Sequence, residues 1–189
     1  MKAVVLGGTF NPVHNGHLFI AEEVRSAFGY DTAIFVPSNQ PVHKDPSPVL
    51  PAPHRLEMLR RAIAGNARFI VDEGEIERGG PSYSIDTVTS LIPRYGIEGK
   101  PGFVIGDDLV AGFPTWKDVD ELVRIVDLIV ARRILAGPVP LAHPHRTVMN
   151  TVLPISSSEI RRRIGEGRSV RYLLPDAVLD YIRDKTLYG

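Results

Sequence analysis

Short apolar runs alternate with helix-period stretches along most of the chain. This predicts an α/β fold, a doubly wound parallel sheet with a small C-terminal helical segment. Two further observations agree with it. The first apolar run ends in Gly7-Gly8 and leads directly into a helical pattern, the strand–turn–helix opening of such sheets. The 189 residues suffice for one domain with a full core. No repeat, low-complexity tract or linker divides them, so residues 1–189 read as a single domain whose C-terminal helices begin near residue 156.

In chain order, residues 3–6 are an apolar run that reads as a buried strand ended by Gly7-Gly8. Residues 17–28 place Ile20, Val24, Ala27 and Phe28 on one helical face, with Gly29 positioned to end the helix. Residues 32–36, Thr-Ala-Ile-Phe-Val, form the second strand. Residues 37–52 carry Pro37, Pro41, Pro46, Pro48 and Pro51, a connection of the length that usually serves function. A helix from about Pro53 aligns Leu56, Leu59 and Ile63; a strand follows at 68–71, then a helix at 84–92 with Ile85, Val88, Leu91 and Ile92 inward. A strand at 102–105 enters Gly106-Asp107-Asp108. Residues 118–125 are helical, 128–131 a buried strand, 147–153 the last strand, and helices lie near 157–165 and 175–186. Ligands of open parallel sheets bind beyond the C-terminal strand ends where the strand order reverses. That rule puts segment 7–17 and Gly106-Asp107-Asp108 in one crevice.

Composition narrows the function. Apolar residues make up 43% and charged residues 23%, ordinary values for a globular protein, and the formal net charge is zero. Bulk attraction to nucleic acid or an anionic membrane is therefore not expected. The chain has no cysteine, which excludes disulfides and thiolate chemistry and suits a reducing compartment. The first apolar run is too short for a signal-peptide core, and no stretch is long enough to span a bilayer, so a cytoplasmic enzyme is expected. The G-x-G-x-x-G fingerprint and the G-x-x-x-x-G-K-[ST] loop are both absent, against a dehydrogenase and a Walker-type NTPase.

Two segments carry chemistry. Paired glycines after a strand let backbone N–H groups approach a ligand, and His14 and His17, spaced H-x-G-H, add groups that hold a proton near pH 7. A glycine pair can be only a turn. A histidine pair can be half a metal site, but His43, His54, His143 and His145 lie in Pro-rich surroundings and no cysteine completes a ligand set, so no protein-bound metal is expected. The second segment is Ile155-Ser156-Ser157-Ser158-Glu159-Ile160-Arg161. Ser156 and Glu159 fit a capping box, with Ile155 and Ile160 as its hydrophobic staple. The helix start would bind an anion through its first-turn N–H groups, Ser157, Ser158 and Arg161. Successive helical residues are about 100° apart, so Arg161, Arg162 and Arg163 cannot all face one ligand, and Arg161 is best placed. A well-capped surface helix is the plainer reading.

Taken together, these segments resemble a known family. Gly7-Gly8-Thr9-Phe10-Asn11-Pro12-Val13-His14-Asn15-Gly16-His17 resembles the first signature of the HxGH nucleotidyltransferases, and Ser156 to Arg161 their S-[ST]-x-x-R phosphate motif. Val36-Pro37-Ser38, His43-Lys44, Ser82-Tyr83-Ser84-Ile85-Asp86-Thr87, Ile105-Gly106-Asp107-Asp108-Leu109 and Trp116 are similar to the bacterial nicotinate-nucleotide adenylyltransferases. Asn11 stands where an aspartate is usual, Asp107 where a small residue is usual, Val42 for a proline, and Lys117 where an aromatic residue is common.

The resemblance implies a Rossmann-like nucleotidyltransferase fold and adenylyl transfer from ATP to nicotinate mononucleotide, giving deamido-NAD and pyrophosphate. His14, His17, Lys44 and Arg161 would act on the phosphates. Gly7, Gly8, Thr9, Phe10, Gly106, Asp108, Ser156, Ser157 and Ser158 would bind ATP. Ser82, Tyr83, Ser84, Trp116 and Lys117 would bind the mononucleotide, with Trp116 stacked on the pyridine; a half-buried core tryptophan is the competing reading. Mg²⁺ would be held by ATP and water and not by a protein cage. Nicotinamide mononucleotide or phosphopantetheine as acceptor is the alternative, since those adenylyltransferases share the H-x-G-H and serine-arginine motifs. Retention of His14, His17, Lys44 and Arg161 argues against a regulator that has lost catalysis. No motif bears on oligomeric state, and a homo-oligomer is left open.

Overall fold

A computed structural model describes residues 1–42, 49–132, 139–149 and 155–189. Its elements, in chain order, are β1 (Ala3–Gly8), α1 (Asn15–Ala27), β2 (Thr32–Pro37), β3 (Gln40–Pro41), α2 (Ala52–Ile63), β4 (Phe69–Val71), α3 (Gly74–Arg78) and β5 (Pro81–Ser82). They continue with α4 (Ser84–Tyr95), β6 (Gly102–Gly106), α5 (Val119–Ile125), β7 (Asp127–Arg132), β8 (Arg146–Met149), α6 (Ser157–Gly165) and α7 (Asp176–Asp184). Six strands form one parallel sheet in the order β4-β2-β1-β6-β7-β8, while β3 and β5 pair on their own.

The strands are apolar on both faces because both faces are covered. All six residues of β2 are buried. On one side Val4, Leu6, Phe35 and Ile129 pack against Ala21 and Val24 of α1, Met58 and Leu59 of α2, Ile160 of α6 and Val178 of α7. On the other, Val5, Ile34, Phe103 and Val130 pack against Val88 and Leu91 of α4 and Leu122 of α5. Alternation along each strand thus feeds two cores, and the doubly wound architecture is as predicted. Strand order reverses between β1 and β6, where Leu6 pairs with Val104. Among the described residues no helix is long and apolar enough to cross a membrane.

Several boundaries differ from the pattern-based expectation. β1 continues through Gly7 and Gly8, which pair with Val36 and Pro37, so the glycines are the strand's last two residues and not its terminator. α1 starts at Asn15 with His14 as N-cap, two residues before the apolar stripe begins, and Gly29 follows its end at φ +70. α4 runs on to Tyr95 and ends at Gly96 in the left-handed region. β8 is described from Arg146 to Met149; residues 150–153 of the predicted strand lie outside the described residues.

α3 and the β3–β5 pair were not signalled by periodicity, and they matter for the site. Buried Asp72 accepts hydrogen bonds from the Gly74 N–H (2.9 Å), Arg94 (2.8 Å) and the Tyr95 hydroxyl (3.0 Å), fixing α3 against the end of α4. Burial, and then the bond to Asp72, pushes the Tyr95 phenol up to about 12. Above its ordinary value of 10, the folded chain keeps a proton that the unfolded chain releases, so stability falls as pH rises through that window. The urea midpoint should therefore drop as pH rises from about 10 to about 12, and Tyr95→Phe should make the drop shallower. An equal drop in both proteins would show that Tyr95 does not drive it.

Candidate active site

The C-terminal ends of β1 and β6 open a crevice of about 470 Å³. Its walls are Gly7–Asn11, His14 and His17 on one side, Gly106 and Asp108 on another, and Ser156–Ser158 with Arg161 on the third. Residues distant in the chain therefore meet where the sheet topology predicts. Lys44 and His43 lie outside the described residues.

The histidines are held by backbone geometry. Phe10 sits at φ +48, which turns the chain after β1 and buries its ring, edge-on to His17 at 5.0 Å. His14 is 2% exposed, and its ring stacks on that of His17 with centroids 3.6 Å apart. The His14 N–H donates to His17 Nδ1 (3.2 Å), and the His17 N–H donates to the His14 carbonyl (2.9 Å). A nitrogen that accepts carries no proton, so the His17 ring is neutral with its hydrogen on Nε2. The glycine of H-x-G-H has a steric cause: a Cβ on Gly16 would lie 3.0 Å from His14 Nδ1.

The opposite wall is an anion site built on α6. The Glu159 N–H donates to Ser156 Oγ (3.2 Å), and Ile155 and Ile160 are buried as the staple requires. The predicted capping box is only half of this kind. Glu159 gives its carboxylate to Arg163 and Arg162, and these bonds hold it below the usual carboxylate range. Ser157 donates to the Pro12 carbonyl (2.9 Å), and Arg161 to the Asn11 carbonyl (2.8 Å) and Ser158 Oγ (3.2 Å). α6 is thereby bolted to the loop that presents the histidines. Arg162 pairs with Glu159 and Glu166 on the outer face, as the helical geometry required.

Sequence reading missed the residue that joins the loops. Arg55, 1% exposed, donates to the carbonyls of Thr9 (2.9 Å), Ser38 (2.7 Å) and Leu50 (2.9 Å). Its signal was visible: it lies four residues before Leu59, on the apolar face of α2, where a charge is out of place. Asn11, noted only as a departure, accepts from the Leu50 N–H (3.3 Å) and the Tyr188 hydroxyl (2.8 Å).

The mononucleotide candidates lie apart from this crevice wall. Ser82 is in β5, Tyr83 is the N-cap of α4, and Ser84 is its first residue. Trp116 is 9% exposed and packs against Phe113 and Phe103, so it belongs to the core and lines no part of the described crevice. Trp116 follows directly on the Phe113–Thr115 turn. Lys117 bonds both oxygens of Asp86 at 3.0 Å and lies 4.8 Å from the Tyr83 ring centre.

A strand-to-helix opening that presents two stacked histidines at a topological switch, faced by a serine- and arginine-bearing helix end, defines an HxGH-type nucleotidyltransferase. The comparisons agree. The sequence profile described as cytidylyltransferase-like matches residues 5–163. The chain is 41% identical over 188 residues to a "probable nicotinate-nucleotide adenylyltransferase" of Borrelia garinii subsp. bavariensis, covering 100% of this chain and 95% of that one. It is 40% identical to the protein of the same name from Moorella thermoacetica, covering 97% and 90%. Plasmodium falciparum nicotinic acid mononucleotide adenylyltransferase, solved in complex with NaAD, has the same fold, with a TM-score of 0.77 over 100% of this chain and 98% of that one at 17% identity. The chain belongs to the nicotinate-nucleotide adenylyltransferase family.

Gly16→Ala separates stability from site geometry. Alanine is the better helix residue by roughly 0.5–1 kcal/mol, but its Cβ pushes on the His14 ring. The thermal midpoint should change little, turnover should fall at least roughly tenfold, and the imidazole ¹⁵N signal of His17 should lose its unprotonated Nδ1 signature. Unchanged turnover would show that the histidine stack tolerates displacement.

Proposed function

We propose that this chain transfers the adenylyl group of ATP to nicotinate mononucleotide, producing deamido-NAD and pyrophosphate in NAD biosynthesis. The observation that carries the reading is the stacked His14–His17 pair facing Ser157 and Arg161 across one crevice, in a chain of this family. A phosphate oxygen of the mononucleotide attacks the α-phosphorus of ATP, a new P–O bond forms, and the bond to the β-phosphate's bridging oxygen breaks. Such transfers need positioning and charge neutralisation more than a protein nucleophile.

Each wall has a part in this reading. His17, with its proton on Nε2, donates to charge developing on the transferring phosphoryl group, and His14 supports it from below. Gly7, Gly8 and Thr9 line the crevice at the end of β1 and offer main-chain N–H groups, with Phe10 anchoring the turn behind them. Ser156, Ser157, Ser158 and Arg161 take the β- and γ-phosphates at the α6 N-terminus. Two N–H donors of Arg161 already hold Asn11 and Ser158, which leaves its guanidinium pre-oriented with further donors. Gly106 and Asp108 face the adenosine ribose. Lys44 is assigned to the phosphates by family resemblance alone. Asp108 is the single carboxylate among the described lining residues, a donor set that fits Mg²⁺ arriving with ATP as MgATP. Such an ion would offset part of the negative charge of the phosphates that hold it.

The acceptor's ring carboxylate is assigned to the first turn of α4, where N–H groups of Ser84 onward face away from the helix. Asp86 in that turn would repel a carboxylate, and its pairing with Lys117 offsets the charge. Ser82 and Tyr83 form the approach to this turn, and Trp116 supports it from the core.

Pyrophosphate release measured in parallel with nicotinate mononucleotide, nicotinamide mononucleotide and phosphopantetheine tests the reaction. The acid should be preferred over the amide at least roughly tenfold in kcat/KM, since a donor-only site leaves the carboxamide's N–H₂ unpaired. Ser84→Pro should erode that preference. It deletes one N–H at a helix position that accepts proline, after an extended Tyr83 (φ −100, ψ 129). Equal rates with acid and amide in the wild type would move the reading to a dual-specificity enzyme. In calorimetry, Arg161→Ala should weaken ATP by roughly tenfold or more and mononucleotide far less, with Arg161→Lys in between. Equal losses for both ligands would remove Arg161 from the β/γ-phosphate site.

A further inference from the structure

We propose that Glu75, outside the crevice, is a positioning residue for the acceptor: its carboxylate holds Ser82 and the first turn of α4 in the geometry that receives the mononucleotide. The inference rests on the reading of residues 82–84 above.

Glu75 lies in five-residue α3 and is 7% exposed. A carboxylate is costly to bury unless hydrogen bonds satisfy it. Here the Thr87 hydroxyl donates to Oε1, and Ser82 lies close enough to favour the charged form of the carboxyl. Burial pushes the carboxyl up, and Ser82 and Thr87, with nearby Arg78, oppose the shift. These two hydroxyls bracket the acceptor segment. Ser82 precedes it, and its Oγ also accepts the Asn39 N–H (2.9 Å). Thr87 follows it, and both its N–H (3.1 Å) and its Oγ1 (3.2 Å) lie within reach of the Tyr83 carbonyl. Asn39 Nδ2 completes the frame by donating to the Gly80 carbonyl (3.0 Å), beside the β3–β5 pairing of Gln40 with Pro81.

One buried acceptor thus fixes both ends of residues 82–87 and ties them to the loop after β2. Only an ionised carboxylate can accept from both hydroxyls without presenting a donor of its own. Glutamine keeps the shape but has one acceptor oxygen in place of two and brings an N–H₂ donor into the frame. Glu75 is not among the described residues that line the ATP-side crevice.

The test uses the full chain, varying nicotinate mononucleotide and ATP separately. Glu75→Gln should raise KM for the mononucleotide at least roughly tenfold while KM for ATP and kcat stay within about threefold. Thr87→Val should move the same parameter, and the double variant should be no worse than Glu75→Gln alone, as expected of partners in one contact. If Glu75→Gln does not fold, the split in Thr87→Val decides. An unchanged mononucleotide KM, equal rises for both substrates, or additive losses would overturn the proposal. Ser84→Pro separates the two levels. If it leaves the mononucleotide KM unaltered, the placement of the acceptor at 82–84 is wrong; if it raises KM and Glu75→Gln does not, only the positioning role falls.

Discussion

One guanidinium organises the top of the sheet. Arg55 reaches from α2 into the space where the chain leaves β1 and β2, and its N–H groups take the carbonyls of Thr9, Ser38 and Leu50. Irregular segments that leave a sheet carry carbonyls with no strand partner, and burying them unpaired would cost about 1–3 kcal/mol each. A planar, permanently charged fork satisfies three at once, where a lysine ammonium lacks the matching geometry. Burial lowers the Arg55 pKa, yet arginine remains protonated in such sites. Thr9, next to the strand-end glycines, and Leu50, whose N–H bonds Asn11, are thus referenced to one point.

From that anchor the crevice is assembled largely by side-chain donors bonded to main-chain carbonyls. The Asn11 and Pro12 carbonyls are each held from α6, and the Asn11 side chain is held from Leu50 and Tyr188. The histidine loop and the serine-arginine helix are therefore one rigid unit with an anion-binding gap between them. Preorganisation of this kind lowers the reorganisation required when charge develops on a phosphoryl group. The acceptor side is framed differently, by side-chain hydroxyls around a buried carboxylate and by an ion pair that offsets Asp86.

Much of this was legible in the chain because apolar runs and punctuation are local. Residues 32–36 read as the second strand, which runs buried from Thr32 to Pro37, and Gly29 stands where α1 needs a positive φ. The H-x-G-H and serine-arginine segments announced two walls of the crevice, and the sheet rule joined them. What stayed hidden was long-range or too short to have a period. α3 has five residues, and β3 and β5 have two each, with a proline in both. Histidine is an unusual N-cap, so the start of α1 was placed late. The partners of Arg55 lie up to 46 positions away, and nothing next to it in the chain names them. Trp116 shows the converse: an aromatic residue near a site motif reads as a stacking surface, and its contact with Phe113 is not written in that motif.

The pairing of Val4 with Gly102 at the centre of the sheet has a consequence for how the molecule comes into being. Roughly half the chain must be in place before β6 can dock beside β1, and loop closure over that span is entropically slow. Hairpin-like local growth cannot shorten it, because parallel neighbours need a crossover. A partly folded species that has already joined β1 to β2 would possess both histidines but not Gly106 or Asp108, and so only part of the crevice. Gly106 and Asp108 therefore join the crevice at the step that closes the centre of the sheet, and a bound nucleotide would reinforce the strand pairing that, among the described strands, spans the longest stretch of chain.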